Sequence, residues 1–389
     1  MQKKQIAIAI AALVSSTAFA QTSVSLGGKF DACYSFTRTS GVDSATGGAT
    51  GSTTSETQTE GCNDASRITV LAREEIAKNY NVRIDFDLRF GNAHEGTAGV
   101  SSNNKKAMAF ATPFGTLQWG TASLMSGDYK LAEKPYMVSP RETELVKGGI
   151  SLLREDSLTN RNTSFWSPVW TIGPVKTLMK GTYALSDARK AGSNDQSSSG
   201  SGDVFVIGNE GVILDRLIDW GVDYTRRLPT GSSSYTGGYT SGSTKYPGGM
   251  IFTHAYVELR PFADRQLKLT AQFNTYRGYN ANEAGGTFRE KNTNFVVSYN
   301  FNSMAELGVG VSHLNDLGES RNSGRRIMIG GSYLLSRGVQ IYAGMANTTF
   351  DYNQGSIAGG KYVGTSANFS SSLTKLDTRV LKFGLMKDF

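Results

Sequence analysis

The chain has 389 residues, a formal charge of +7, 45 glycines, eight prolines, 17 tyrosines, 19 phenylalanines and two cysteines. Scarce proline with abundant aromatic residues suits strands, and two thiols cannot supply a four-ligand structural zinc site. The basic balance is mild, with no concentrated Lys/Arg run, which argues against nucleic acid and for an attraction to small anions or an anionic surface.

Residues 1–20 hold Lys3 and Lys4, an apolar run from Ile6 to Val14, and Ala18-Phe19-Ala20. That order predicts a secretory signal peptide cleaved after Ala20, rather than a membrane anchor, whose apolar core needs ~20 residues. Losing Lys3 and Lys4 takes the charge from +7 to about +5.

Period-two segments follow. SVSLGGKFDACYSF (23–36) sets Val24, Leu26, Phe30, Ala32, Tyr34 and Phe36 against Lys29, Asp31 and Cys33. SRITVLAR (66–73) sets Ile68, Val70 and Ala72 against Arg67, Thr69 and Arg73. YNVRIDFDLRF (80–90) alternates strictly throughout, which reads as strand and not helix. At ~3.3 Å per residue it can cross a bilayer at a tilt. The pattern returns at 217–225, 266–276, 294–301, 306–314, 326–335, 339–346 and 379–389, while polarity blurs the strand ends over 203–216.

The connections sort by parity. IAKN, PFGT, RPFADR, FNSM and LSRG are short; 37–65, 91–103, 187–202, 228–248, 278–290, 315–324 and 347–375 are long and polar. No apolar run after Gln21 reaches spanning length, so a membrane protein here has to be a closed barrel. Short turns on one side and long loops on the other mark an outer-membrane barrel; a β-sandwich would not sort its loops this way. Counting one further loop at 122–160 gives eight hairpins, hence an all-β, 16-stranded antiparallel transmembrane β-barrel over residues 21–389.

That further loop carries Leu124, Met125, Leu131, Tyr136, Met137, Val138 and Leu145. A long loop with apolar anchors is expected to fold inward against the wall rather than stand as a surface lid. Opposite it, Lys29, Arg67, Arg73, Arg83 and Arg89 form a basic ladder on the polar face, with Lys180, Lys106, Arg326 and Lys382 adding from other strands. Arginine stays charged at physiological pH. Asp128, Glu133, Glu142 and Glu144 of the loop can set a field against the ladder. Lys130, Lys134, Arg141 and Lys147 bring the loop near neutrality, which tilts the constriction toward anions.

Cys33 and Cys62 flank a Gly/Ser/Thr-rich stretch and are either a disulfide or two thiols. The histidines are His94, His254 and His313. Nothing in the sequence pairs one with a serine and a carboxylate, so no enzyme is expected. Neither a metal nor a cofactor is expected.

Taken in order, these pieces resemble the trimeric general porins of β-proteobacteria. The matching stretches are the leader, SVSLGGKFDACY, ASRITVLAREEIAKNYNVRIDFDLRF, AFATPFGTLQWG, NTSFWSPVW and the terminal FGLMKDF. Gly120-Thr121-Ala122 departs from the Gly-Arg-Gln often found there, and Lys387 takes a position of an aromatic or His. The resemblance implies a homotrimeric, water-filled channel for small hydrophilic solutes, set among the lipid and lipopolysaccharide of the outer membrane, with a third loop that narrows the lumen. It also implies that Phe389 is read by the barrel-assembly machinery. A substrate-selective channel, or a barrel with an adhesin or structural role, is the alternative.

Overall fold

The computed structural model describes residues 22–43, 49–60, 66–89, 106–121, 161–184, 204–227, 250–262, 266–279, 287–316, 323–351 and 373–389. The expected leader (1–20) and third loop (122–160) lie outside them. Every regular element described is a strand: β1 (Thr22–Asp43), β2 (Ala49–Glu60), β3 (Arg67–Ala77), β4 (Tyr80–Arg89), β5 (Lys106–Thr112), β6 (Gly115–Thr121), β7 (Arg161–Trp166), β8 (Trp170–Ile172), β9 (Val175–Ala184), β10 (Val204–Ile213), β11 (Ile218–Arg227), β12 (Met250–Leu259), β13 (Leu267–Tyr279), β14 (Thr287–Asn300), β15 (Ala305–Asp316), β16 (Ser323–Ser336), β17 (Val339–Asp351) and β18 (Leu373–Asp388).

All pairings are antiparallel, and β18 returns to β1, which closes the sheet. The eighteen strands make sixteen wall strands, because two courses are interrupted. β2 and β3 lie along the same edge of β1; β7 and β8 lie along the same edge of β9. In the first break, residues 61–66 intervene between Glu60 and Arg67, while only Phe30 and Asp31 separate their partners Ala32 and Lys29. Ser66 secures that break: its hydroxyl accepts from the Asp31 N–H at 3.1 Å and donates to the Asp31 carbonyl at 3.4 Å. Cys33, two residues on, is disulfide-bonded. The sequence has one other cysteine, Cys62, which falls within the interruption and outside the described residues.

Alternation turns the usual core inside out. Leu26 on β1, Ile84 on β4, Phe295 on β14, Ile329 on β16, and Leu381 and Phe383 on β18 are exposed. Residues on the opposite alternation, such as Asp31 beside the exposed Phe30, Asp85, Asn294 and Lys382, are buried. An apolar exterior with a polar interior is the arrangement that lipid requires of a barrel.

The turns at IAKN and LSRG fall where the sequence places them, and a further one follows Ile172. Asn79 (φ 67) closes β3–β4, Gly173 (φ 57) β8–β9 and Gly338 (φ 83) β16–β17; Asn and Gly tolerate that left-handed backbone. The β10–β11 turn differs. Leu214, Asp215 and Arg216 are all left-handed (φ 51, 50 and 74), closed by a Leu217 N–H to Leu214 carbonyl bond of 3.1 Å.

Two expected boundaries move. Strand continues through most of the expected 37–65 loop, since β1 runs to Asp43 and β2 starts at Ala49. Those stretches are rich in Thr and Ser, and outside lipid both faces meet water, so the apolar alternation fades while the ladder persists. Residues 379–389, expected to close against residues near 23–34, pair from Arg379–Arg38 to Asp388–Lys29, overlapping that stretch but set a few residues further along, and Thr22–Lys29 pair with β3. A tilted barrel staggers its strands, so the last strand meets the first further along.

The seam is fastened at two heights. At its end, the Gly28 N–H donates to the Phe389 carbonyl at 2.8 Å and the Phe389 N–H to the Gly28 carbonyl at 3.0 Å. The Phe389 ring lies so close over Gly28 that a Cβ there would collide with it. Deeper in, the buried Tyr342 on β17 reaches across Gly384 of β18 and donates to Asp31 Oδ1 of β1 at 2.7 Å. One side chain thus ties three strands across the closure.

Two substitutions test the seam. Tyr342→Phe removes a hydrogen bond to a charged group, which costs about 1.5–3 kcal/mol, and lowers the urea midpoint of the folded barrel. Gly384→Leu obstructs the tyrosine and reduces the folded fraction seen as heat-modifiable gel mobility. Unchanged midpoints and yields in both variants show that the crossing contributes nothing to closure.

Candidate functional site

The inward face of β1, β3 and β4 carries the basic residues expected to line a channel. Their register resolves the ladder into two rungs. Lys29 pairs with Arg67, and Arg67 with Arg89. Six residues along β3, Arg73 pairs directly with Arg83. That separation is ~20 Å along the strand at ~3.3 Å per residue. Between the rungs lie the backbone pairs Thr69–Asp87 and Leu71–Asp85, and the Asp85 carboxylate beside Arg83 keeps the wall from being continuously positive. Directly opposed like charges repel, and nearby carboxylates offset this. Arg83 binds Asp85 at 2.8 Å, and Lys29 lies 3.9 Å from Asp388.

Solvent reaches the rungs unequally. Arg73 and Arg83 are exposed, while Lys29 and Arg67 are half-buried. Arg89 occupies an inward position by register. Lys180, on β9, is buried with its Nζ 5.4 Å from the centroid of the Trp166 ring, a cation–π distance. Arg326 and Lys382 point inward but are buried; Arg326 Nε donates to Thr348 Oγ1 at 2.7 Å. Lys106 pairs in the backbone register with Phe86 of β4. Asp128, Glu133, Glu142 and Glu144 lie outside the described residues.

One inner wall is covered. From β14 to β18, inward residues including Asn294, Ser312, Met328 and Tyr342 are buried, and Arg326 is only 1% exposed. Cys33, Val296, Met328, Tyr342 and Ala346 form an apolar cluster on this wall. An arginine facing an open, water-filled lumen would not be sealed in this way.

A polar network not anticipated from sequence lies on β11–β13, eight wall strands round from β3. His254 Nδ1 is 3.3 Å from Asp223 Oδ2, and Gln272 Nε2 is 3.2 Å from His254 Nε2. Since the Gln272 amide nitrogen donates, Nε2 accepts and the ring proton sits on Nδ1, toward Asp223. Arg260 binds Asp219 at 2.8 Å, the Arg216 carbonyl at 2.7 Å, and Glu258. Only the β11–β12–β13 register brings Asp223 and Gln272 to His254.

The open Arg73–Arg83 rung is the part of the lining most able to act on a passing ion. Arg83→Glu or Arg73→Glu shifts the reversal potential in a salt gradient toward cations without unfolding the barrel, because lumen positions tune selectivity. Asp85→Asn, which frees Arg83, shifts it toward anions. Reversal potentials that stay fixed in all three variants would exclude the rung from the conduction path. Ile84→Arg, on the lipid face, impairs assembly instead, at ~2–4 kcal/mol near the midplane.

The chain matches the family model of Gram-negative porins over residues 7–354. Among solved structures it is similar to the anion-selective porin from Comamonas acidovorans, at 13% identity and a TM-score of 0.67, with 95% of this chain and 100% of that chain covered. It is also similar to the trimer form of in-vitro folded OmpT of Vibrio cholerae, at 11% identity and a TM-score of 0.58, covering 95% and 99%. Salmonella typhi OmpF in complex with daunomycin matches at 11% identity and a TM-score of 0.59, covering 94% and 97%. At such identities the structural likenesses establish the fold. No curated relative matches the chain by sequence.

Proposed function

The chain belongs to the Gram-negative porin family, an outer-membrane channel by that membership, and we propose from it the following finer reading. The barrel is a water-filled pore for passive diffusion of small hydrophilic solutes and ions, with moderate preference for anions. The observation that carries the preference is the solvent-open Arg73–Arg83 rung, backed by Lys29 and Arg67. Fixed charges on the wall select by sign in this way. The similarity to an anion-selective porin supports the same sign.

Residues 122–160 fold inward and narrow the lumen in this reading. Their apolar side chains suit the inner wall of β14–β18, whose buried, partly apolar face calls for a cover. Asp128, Glu133, Glu142 and Glu144 then face the rungs. The signal peptide is residues 1–20, and the working assembly is a homotrimer, as a similar Vibrio cholerae barrel is in its trimer form. Phe389, 61% exposed on the outer face at the seam, is read by the barrel-assembly machinery. In this reading the barrel works as a channel, and the His254 contacts with Asp223 and Gln272 serve the wall.

Reconstitution in planar bilayers under a salt gradient tests this reading. Open channels with a reversal potential of anionic sign are expected. The preference should weaken as the Debye length falls from ~30 Å at 0.01 M to ~3 Å at 1 M. Cation preference in dilute salt overturns the selectivity, and absence of conductance overturns the pore. Deleting Phe389 separately reduces folded barrel in the membrane; normal yields remove the assembly role.

A further inference from the structure

The interruption between β2 and β3 poses a register problem. Both strands pair with β1, β2 from Val42–Ala49 to Ala32–Glu60 and β3 from Lys29–Arg67 to Thr22–Glu74. Residues 61–66 stand on one side of the break against Phe30 and Asp31 on the other. That excess is even, so β3 resumes with its alternation intact and Arg67 directly opposite Lys29. A slip by one residue turns every side chain of a strand to the other face. It would set Arg67 and Arg73 on the face that carries the exposed Leu26 and Ile84. Before the strands enter a bilayer no lipid distinguishes the two faces, so apolar patterning alone does not prevent the slip.

Two features fix the break. The Ser66 hydroxyl bonds both backbone groups of Asp31. Cys33 is disulfide-bonded, and the chain's other cysteine is Cys62. A covalent tie from β1 into the interruption counts residues where hydrogen bonds do not.

The closed seam encloses that tie. Cys33 is 5% exposed and clusters with Val296 of β14, Met328 of β16, and Tyr342 and Ala346 of β17. Its register partner across the seam is Gly384 of β18, over which the Tyr342 side chain passes to reach Asp31. These covering residues come from late strands, which stand against β1 only after β18 has paired with it. Thiol–disulfide exchange needs a sulfur that another sulfur can reach.

We propose that the Cys33–Cys62 bond is made in the unclosed chain by a periplasmic dithiol oxidase, and that it sets the β1–β3 register before β18 arrives. The exchange balances between the two proteins. One chain thiolate attacks the oxidase disulfide, which forms a mixed disulfide and releases one oxidase thiolate. The second chain thiolate attacks the chain sulfur of that mixed bond and releases the other. The chain gives up two protons and two electrons, and the oxidase disulfide becomes a dithiol. The proposal rests on the reading of residues 1–20 as an export signal, not on conductance or selectivity.

The test uses the full chain and counts free thiols by maleimide mass-tagging. In cells depleted of the barrel-assembly machinery, the stalled periplasmic chain should already be oxidised; in cells that also lack the oxidase it should carry two free thiols. Free thiols in the first case overturn the order, and a bond in the second overturns the enzyme. The purified folded barrel should lose its bond to dithiothreitol about a hundredfold more slowly than the heat-unfolded chain, because the sulfur is enclosed. Equal rates overturn the seal. Both Cys33→Ser/Cys62→Ser and the reduced wild-type chain should give roughly threefold less heat-modifiable barrel on refolding, since register is then free to slip. Full yield from both overturns the register role. A stalled chain that stays in the cytosol with residues 1–20 attached counts against the export signal alone, and the purified barrel still decides the seal.

Discussion

Inside a bilayer a backbone N–H or C=O finds no water, and each one left unpaired costs several kcal/mol. The β1–β18 pairing meets that demand by joining the first strand to the last from Lys29–Asp388 to Asp43–Leu373. Once the sheet is closed, the rest follows. Apolar residues face out because the outer face meets lipid. Polar residues face in because the inner face is where water and ions can be. The turns on one side can be minimal, whereas the other side is free to carry long polar segments.

Much of this was legible because the constraint writes itself into the sequence at period two. Strand β4 could be read outright: its outward set Val82, Ile84, Phe86 and Leu88 is unbroken. Legibility failed where the constraint relaxes. On β10, Asn209 follows Ile207 on the outward alternation, and it accepts from the Thr177 hydroxyl at 2.6 Å, a tertiary partner no local pattern announces. The following turn bends through Leu214, Asp215 and Arg216 with neither Gly nor Asn to signal it. The interruption at 61–66 was equally hidden, since only the register of β1 with both β2 and β3 reveals it.

The lining was half legible for a related reason. Parity tells which residues share a side of the wall, and it groups Lys29, Arg67, Arg73 and Arg83 on one face, as their register does. Parity does not tell what stands opposite or what lies on top. The pairs between the rungs needed the β3–β4 register, and the burial of Lys180, Arg326 and Lys382 needed the folded lumen.

The tyrosine laid across glycine at the seam has a consequence for how such a sequence can change over generations. A side chain at position 384 would strike Tyr342, and a smaller residue at 342 would leave a groove over Gly384 and remove a partner of Asp31. None of the three can drift alone. The positions lie on three strands, at opposite ends of the chain, yet they form a single unit of inheritance. Lineages that lose the tyrosine should carry compensating bulk at 384 and an altered residue at 31, so the closure leaves a trace of correlated substitution between the two ends of the chain.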